Sequence, residues 1–165
     1  MFAENMERSL LQMRGLSFEI PNQYGRYLFD ILEGIDLKSY FWRHGGGEAY
    51  YIEDGTLGSP LFPKPYFYTG EELYRTISAR DYYVIFADLK AFLNETDVQE
   101  IATYEEFLAS PCEFVLLVVD CAYVTIYAKN EQVLRRLYKE AVAAGYKNVA
   151  YMTDDNDDRT TLIAF

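Results

Sequence analysis

The chain has 165 residues and a formal net charge of -11, with 26 acidic residues against 15 lysine and arginine residues. Half of its residues are hydrophobic, enough to form one domain with a sizeable core, and no shift in composition marks a second domain. Because an acidic surface repels phosphate, this composition excludes nucleic acid as a partner and favours a positively charged one.

The amino-terminal residues 1–12 carry acidic side chains early and lack an apolar stretch long enough for a signal peptide. No run in the chain reaches the roughly 18 apolar residues of a membrane span, since Asp120 interrupts the longest candidate. The sequence therefore predicts a cytoplasmic protein without a membrane partner.

The first predicted elements are a strand and a helix. Leu16, Phe18 and Ile20 alternate with polar residues, as in a half-buried strand that ends at Pro21. The stretch 24–35 then repeats apolar residues with a helical period. These patterns predict an amphipathic helix that packs on a sheet.

The next predicted element is a hairpin. Two extended, aromatic-rich runs, 39–43 and Glu48–Glu53, flank the segment His44-Gly45-Gly46-Gly47. We expect the two runs to pair with each other across a glycine loop. The stretch 54–65, which holds three prolines and two glycines, is predicted to be a surface loop.

Two capping boxes predict the starts of two short helices. Thr69 with Glu72, and Thr103 with Glu106, have the T-x-x-E spacing in which each side chain caps a backbone amide of the other residue. Between them, residues 82–87 are rich in β-branched and aromatic side chains, which predicts a central strand.

The carboxy-terminal third predicts further strands and the clearest helix. Residues 113–119 and 122–128 fit two strands around a tight turn, although one long bent strand fits the same residues. Asn130 begins a helix that Gly145 ends. Two last strands are predicted over 148–152 and 160–165.

Together these elements predict an α+β fold with a mainly antiparallel or mixed sheet and about four helices packed on it. Neighbouring strands are joined by short turns, and the helices lie between the hairpins. We expect residues 13–165 to form this single domain and residues 1–12 to be an amino-terminal extension.

Three segments resemble a known family: 14–22 (RGLSFEIPN), 45–48 (GGGE) and the residues around Asn156 and Arg159 near the end. They resemble an uncharacterised family of small proteins from spore-forming, low-GC Gram-positive bacteria, a domain of unknown function. The resemblance covers residues 13–165, and Met13-Arg14 is similar to the usual start of such proteins. Because the family has no established activity, the resemblance implies a fold and no chemistry.

The segment His44-Gly45-Gly46-Gly47 spells the oxyanion-hole tetrapeptide of some α/β-hydrolases. The chain has no G-x-S-x-G motif, and His44 is its only histidine, so the same residue would have to serve as the base of a triad. The sequence therefore favours a flexible loop, with close approach of the glycine backbone to a ligand as the alternative.

Metal and thiol chemistry lack the residues they need. Asp154, Asn156 and Asp158 have the spacing that begins a calcium loop, but Arg159 stands where that loop needs glycine. One histidine and two cysteines cannot complete a zinc site by themselves. Cys112 and Cys121 are spaced as neither a redox pair nor a zinc knuckle, and we expect both to be buried and reduced. No metal or cofactor is predicted.

Two functions from different classes fit these observations. The preferred one is a non-enzymatic interaction or inhibitory module that binds a basic protein through an acidic face and exposed aromatic side chains. The acidic face comprises Glu95, Asp97, Glu100, Glu105 and Glu106, from a stretch without lysine or arginine between Lys90 and Lys129.

The alternative function is a small-molecule-binding protein or enzyme with a pocket at the loop 45–47. In that case Arg43 or Glu48 would be the polar anchor of the ligand. The binding residues proposed for either function are Trp42, Arg43, His44, Gly45, Gly46, Gly47, Glu48 and Tyr50. The sequence does not determine the oligomeric state.

Overall fold

An antiparallel sheet lies at the centre of the molecule in the computed structural model, which describes residues 13–157 and 159–164. Within those residues the sheet has nine strands, in the order β4-β3-β6-β7-β8-β1-β9, with β2 paired to both β5 and β6. The strands are β1 (Met13–Glu19), β2 (Phe41–His44), β3 (Glu48–Glu53), β4 (Thr56–Pro60), β5 (Tyr66–Thr69), β6 (Tyr82–Phe92), β7 (Cys112–Val119), β8 (Tyr123–Ala128) and β9 (Lys147–Thr153).

Four α-helices occur in the described part of the chain: α1 (Tyr27–Leu32), α2 (Gly70–Ser78), α3 (Tyr104–Ala109) and α4 (Glu131–Ala143). Helices α1, α2 and α4 bury Leu28, Leu73 and Leu134 against one face of the sheet. The other face is covered by an outer layer, which consists of residues 93–109 and the carboxy-terminal segment 159–164 and buries Phe107 and Leu162. This arrangement confirms the α+β prediction.

Strand β6 organises the sheet because it is long enough to hold different partners along one edge. Its first half pairs with β3 and its second half with β2, while β7 occupies the opposite edge. A register shift near Ile85 changes which side chains face the helices. After this bulge Leu89 faces the helix layer, whereas Asp88 and Lys90 face the outer layer.

Local signals placed several elements correctly. The Thr69 hydroxyl accepts the Glu72 amide at 3.1 Å, and the Glu72 carboxylate accepts the Thr69 amide at 3.3 Å, so this capping box is complete. The Asn130 side chain caps α4. Strands β7 and β8 are separate, joined through Asp120 and Cys121, both of which have positive φ.

The predicted hairpin between 39–43 and Glu48–Glu53 is wrong. Strands β2 and β3 both form, but each pairs with β6 instead of with the other. Strand β3 forms its hairpin with β4, which lies inside the predicted loop 54–65. The turn between them uses Asp54 and Gly55, both at positive φ, the geometry that a two-residue hairpin turn favours.

Two further predictions need correction. The first helix is shorter than the pattern over 24–35, because only Tyr27–Leu32 is helical. The stretch 160–164 forms no strand among the described residues and makes only a single bridge, between Thr161 and Thr103. No helix in the described part of the chain is long and apolar enough to cross a membrane.

Candidate functional site

The glycine segment 45–47 lies against the backbone of β6. The Gly45 amide donates to the Asp88 carbonyl at 2.9 Å, and a β-carbon at Gly45 would lie 2.8 Å from Asp88 Cγ. Gly47 has a φ of +148°, and a β-carbon there would lie 2.5 Å from the carbonyl oxygen of Phe86. Glycine is therefore required here for close approach to a neighbouring strand, which differs from the flexible hairpin loop that the sequence predicts.

A small cavity opens beside this segment. Its volume is about 170 Å³. The lining residues come from β2, the glycine segment, β3, the end of β4 and the connection after it: His44, Gly47, Glu48, Ala49, Tyr50, Pro60 and Phe62. Four of the predicted binding residues therefore share this cavity, namely His44, Gly47, Glu48 and Tyr50.

His44 is the most unusual of these residues. Its side chain is buried, with 7% of the residue exposed, and its ring centroid lies 4.3 Å from that of Phe62. The Nε2 atom is buried and has no hydrogen-bond partner among the described residues. Burial lowers the pKa of His44 from 6.5 to about 4, so the imidazole is neutral at pH 7.

Trp42 is not part of the cavity, contrary to its proposed binding role. It is 0% exposed, and its Nε1 donates to the Leu37 carbonyl at 2.9 Å. Its ring packs edge-on against Phe114 in the core. A fully buried indole cannot contact a ligand or partner, so Trp42 stabilises the fold instead.

The remaining predicted residues lie elsewhere around the segment. Arg43 neighbours His44 on β2 and faces the opposite side of the sheet, where its guanidinium lies 4.6 Å from the ring centroid of Tyr66. Gly45 and Gly46 belong to the segment but do not line the cavity. Among the aromatic residues of β2, β3 and β5, Tyr66 is the most accessible to a partner, since it is 56% exposed.

The lowered pKa of His44 predicts a loss of stability in acid. Between pH 6.5 and about 4 the unfolded chain binds a proton at His44 that the folded chain excludes, so folding becomes less favourable as the pH falls through this window. The expected contribution is about 3 kcal/mol across the window. Urea unfolding at several pH values, compared between the native chain and His44→Gln, measures it.

The native protein and His44→Gln share every carboxylate that titrates in this range. The difference between their stabilities at each pH therefore reports on His44 alone. His44→Gln is expected to lose stability less steeply than the native protein between pH 6.5 and 4. If the free energies of unfolding of the two proteins fall in parallel with pH, His44 becomes protonated in the folded state as readily as in the unfolded state.

A buried ion pair lies behind the glycine segment, on the outer-layer side of β6. Asp88 and Lys90 are 1% and 2% exposed, and Lys90 Nζ lies 2.6 Å from Asp88 Oδ1. Lys90 also donates to the Leu162 carbonyl at 2.5 Å, and Asp88 accepts the amide of Ala164. The pair therefore fastens the carboxy-terminal segment to the sheet.

Desolvation raises the pKa of Asp88 above its ordinary value, even though the attraction of Lys90 and hydrogen bonds with Lys90 and Ala164 lower it. At this carboxyl, the desolvation that disfavours the charged form thus outweighs the attraction of Lys90 and the hydrogen bonds that favour it. Sequence reasoning missed the pair. The available signal was two opposite charges, two residues apart, in a strand of otherwise apolar and aromatic residues.

A second, larger cleft lies where the two ends of the described chain meet. It has a volume of about 620 Å³, and its walls include Arg14, Tyr104, Asp154 and Arg159. Arg14 bonds to Asp154 at 2.6 Å and lies 4.3 Å from the ring centroid of Tyr104. Arg159 Nη1 is buried, and no residue within 13–157 and 159–164 forms a hydrogen bond with it.

The residues with calcium-loop spacing have other roles. Asp154 pairs with Arg14, while the Asn156 side chain accepts the Thr153 amide at 2.7 Å and donates to the Tyr151 carbonyl at 3.1 Å. Asp158 lies outside the described residues. No group of three potential metal ligands from His, Cys, Asp and Glu occurs within 13–157 and 159–164.

The two cysteines differ in burial. Cys112 is fully buried in β7, and desolvation raises the pKa of its thiol to about 11, which disfavours the thiolate. Cys121 is only half-buried, so the prediction that both are buried holds for Cys112 alone. Both thiols are free.

The five residues of the predicted acidic face all belong to the outer layer. Glu95 and Asp97 lie in a short 3-10 turn, and Glu106 accepts the Ala102 amide at 2.9 Å with its carboxylate. None of the five forms an ion pair with another described residue, and four of them are exposed, the exception being the half-buried Asp97.

Comparison with known proteins identifies relatives but assigns no activity. A family model described as "Protein of unknown function (DUF2691)" matches residues 13–163. A relative in Bacillus subtilis (strain 168), "Uncharacterized protein YncE", is 40% identical over 150 residues, which cover 90% of this chain and 97% of the relative. No solved structure matches.

Proposed function

The chain belongs to the DUF2691 family of unknown function, and we propose that it is a non-catalytic binding module for a basic protein partner. The partner binds at the acidic face formed by Glu95, Asp97, Glu100, Glu105 and Glu106. This proposal agrees with the preference drawn from composition, but it places the contact on the outer layer and not at Trp42.

The observation that carries the proposal is a run of acids without ion-pair partners among the described residues. Elsewhere in the described chain several acids pair with nearby bases, as in Arg135 with Glu131 at 3.3 Å and Lys64 with Glu72 at 2.6 Å. Residues 93–109 of the outer layer hold five acids and no lysine or arginine. These carboxylates repel one another, and a basic partner relieves that repulsion.

Exposed apolar side chains on the same segment support the proposal. Leu93 and Leu108 are 54% and 57% exposed at its two ends. Protein interfaces combine apolar contact with a charged rim, and charge complementarity mainly accelerates and selects the encounter. The combination of unpaired acids and exposed leucines therefore suits a basic protein surface better than a small solute.

The acidic face predicts salt-dependent capture of a partner. We expect the triple variant Glu95→Gln, Glu100→Gln, Glu105→Gln to associate about tenfold more slowly than the native protein at low salt, with a flatter dependence on salt. These three side chains are exposed and make no hydrogen bond within the described chain, so the stability should change by less than about 1 kcal/mol. Partners are captured from a Bacillus subtilis lysate, and their association rates are then measured with purified proteins.

The matched control removes the same charge at the opposite end of β6. Asp54, Asp81 and Asp120 are exposed there, and their replacement by asparagine changes the net charge equally. The control should bind like the native protein. If both triple variants bind alike, or if the captured proteins are not basic, the acidic face is a solvated surface and the proposal is wrong.

A further inference from the structure

The larger cleft, where the two ends of the described chain meet, is lined by a charged side chain without a partner in the described chain. Arg159 is half-buried there, and its Nη1 atom forms no hydrogen bond with a described residue. Its guanidinium forms no ion pair within 13–157 and 159–164 either. A buried cationic donor without an acceptor is costly, so the cleft favours a ligand that supplies an acceptor with negative charge.

The second arginine of the cleft already has partners. Arg14 binds Asp154 at 2.6 Å and lies 3.6 Å from Asp157, which also accepts a hydrogen bond at 2.9 Å from the hydroxyl of Tyr127. Burial raises the pKa of Tyr127, and the positive charges of Arg159 and Arg14 oppose that rise, which places both guanidinium groups near the same hydroxyl. Since Arg14 is engaged, Arg159 is the charge that remains for a ligand.

The other lining residues select among anions. Glu105 is exposed and the whole chain is acidic, so a ligand with one negative charge is repelled less than a phosphate dianion. Met13 and Leu108 supply apolar contact, and the hydroxyls of Thr103 and Thr160 are further hydrogen-bond donors. A carboxylate has two acceptor oxygens that match the parallel N–H donors of a guanidinium.

We infer that this cleft binds a small apolar monocarboxylate, with Arg159 pairing with the carboxylate and Met13 and Leu108 contacting the carbon atoms. The volume of about 620 Å³ is typical of pockets that hold small organic ligands. The inference does not rest on the proposed protein partner. Glu105 belongs to the acidic face and attracts a basic partner, whereas it repels a carboxylate, so its removal has opposite effects on the two.

The test uses sodium hexanoate as the probe. It is titrated into the ¹⁵N-labelled, tag-free full chain, and the amide signals of Thr103, Glu105 and Thr160 are followed by NMR, with hexan-1-ol and sodium chloride as the neutral and ionic controls. We expect saturable shifts with hexanoate, at least about tenfold weaker binding of hexan-1-ol, and no saturable shift with sodium chloride. Hexanoate shifts that are absent or linear in concentration, or equally tight binding of hexan-1-ol, would overturn the assignment.

Three variants locate the effect. Arg159→Gln is expected to weaken hexanoate binding at least about tenfold, because the charge of the ligand loses its partner. The matched control Arg136→Gln removes the same charge from α4, where Arg136 pairs with Glu140, and should leave binding unchanged. Glu105→Gln, an exposed change that should not affect folding, is expected to strengthen binding about twofold at low salt.

Amide spectra of the three variants establish that they remain folded. Equal hexanoate binding by the native protein and Arg159→Gln would contradict the inference, and so would weaker binding by Glu105→Gln. The second outcome keeps the inference testable if Arg159→Gln does not fold.

Discussion

Lys90→Met is expected to lower the free energy of unfolding by about 3–5 kcal/mol, because it leaves the Asp88 carboxylate buried without its counter-ion. The Leu162 carbonyl loses its donor in the same variant, so the carboxy-terminal segment is expected to loosen from the sheet. Urea unfolding at pH 7 gives the stability, and hydrogen exchange at Leu162 and Ala164 reports the loosening.

A double variant separates the stranded charge from the loss of packing. Asp88→Asn with Lys90→Met removes both charges and keeps an acceptor for Ala164, so most of the lost stability should return. The loss of stability in Lys90→Met should also become smaller as the pH falls through the raised pKa of Asp88. The protonated Asp88 carboxyl has no charge and therefore needs no counter-ion. If Lys90→Met lowers the free energy of unfolding at pH 7 by less than about 1 kcal/mol, the ion pair does not fasten the carboxy-terminal segment to the sheet.

Trp42→Ala is expected to be equally severe, at about 3–5 kcal/mol, because it removes the largest fully buried side chain of the core. The cavity would open between Phe114 and Tyr40, which contact the indole edge-on, and the Leu37 carbonyl would lose its donor. Thermal and urea unfolding measure the effect.

Tyr66→Ala is the comparison for this variant, since it removes an aromatic ring from the neighbouring strand at a site that is 56% exposed. Its cost should stay within about 1 kcal/mol. The contrast decides whether the aromatic residues around β2 serve the core or a partner. If Trp42→Ala is nearly as stable as the native protein, Trp42 does not stabilise the core, and its proposed role in binding a partner stands again.

The charge pattern and the local helix signals are properties of the sequence itself. Each helix signal acts within a few residues, so it sets the start or the end of a helix without tertiary contacts. The signals are the Thr69–Glu72 capping box, the Asn130 cap and the glycine at 145 that ends a helix. The absence of lysine and arginine between Lys90 and Lys129 is likewise readable directly. Alternation and turn signals were also sufficient for the α+β class, because they depend on neighbouring residues.

The candidate site depended on information that no local pattern holds. His44 meets Phe62, and Asp88 meets Ala164, only because distant segments pack together.

Residues 39–43 and Glu48–Glu53 looked like a hairpin because both strands are extended and adjacent in sequence, but β6 offers each of them a longer, buried edge to pair with. The sequence by itself determined the α+β class, most of the helices and strands, the charge and the family, but not strands β4 and β5. The tertiary structure decided the strand partners, the burial of Trp42 and the cavity at His44, since burial and pairing are set by the competition among all strands for the same edges.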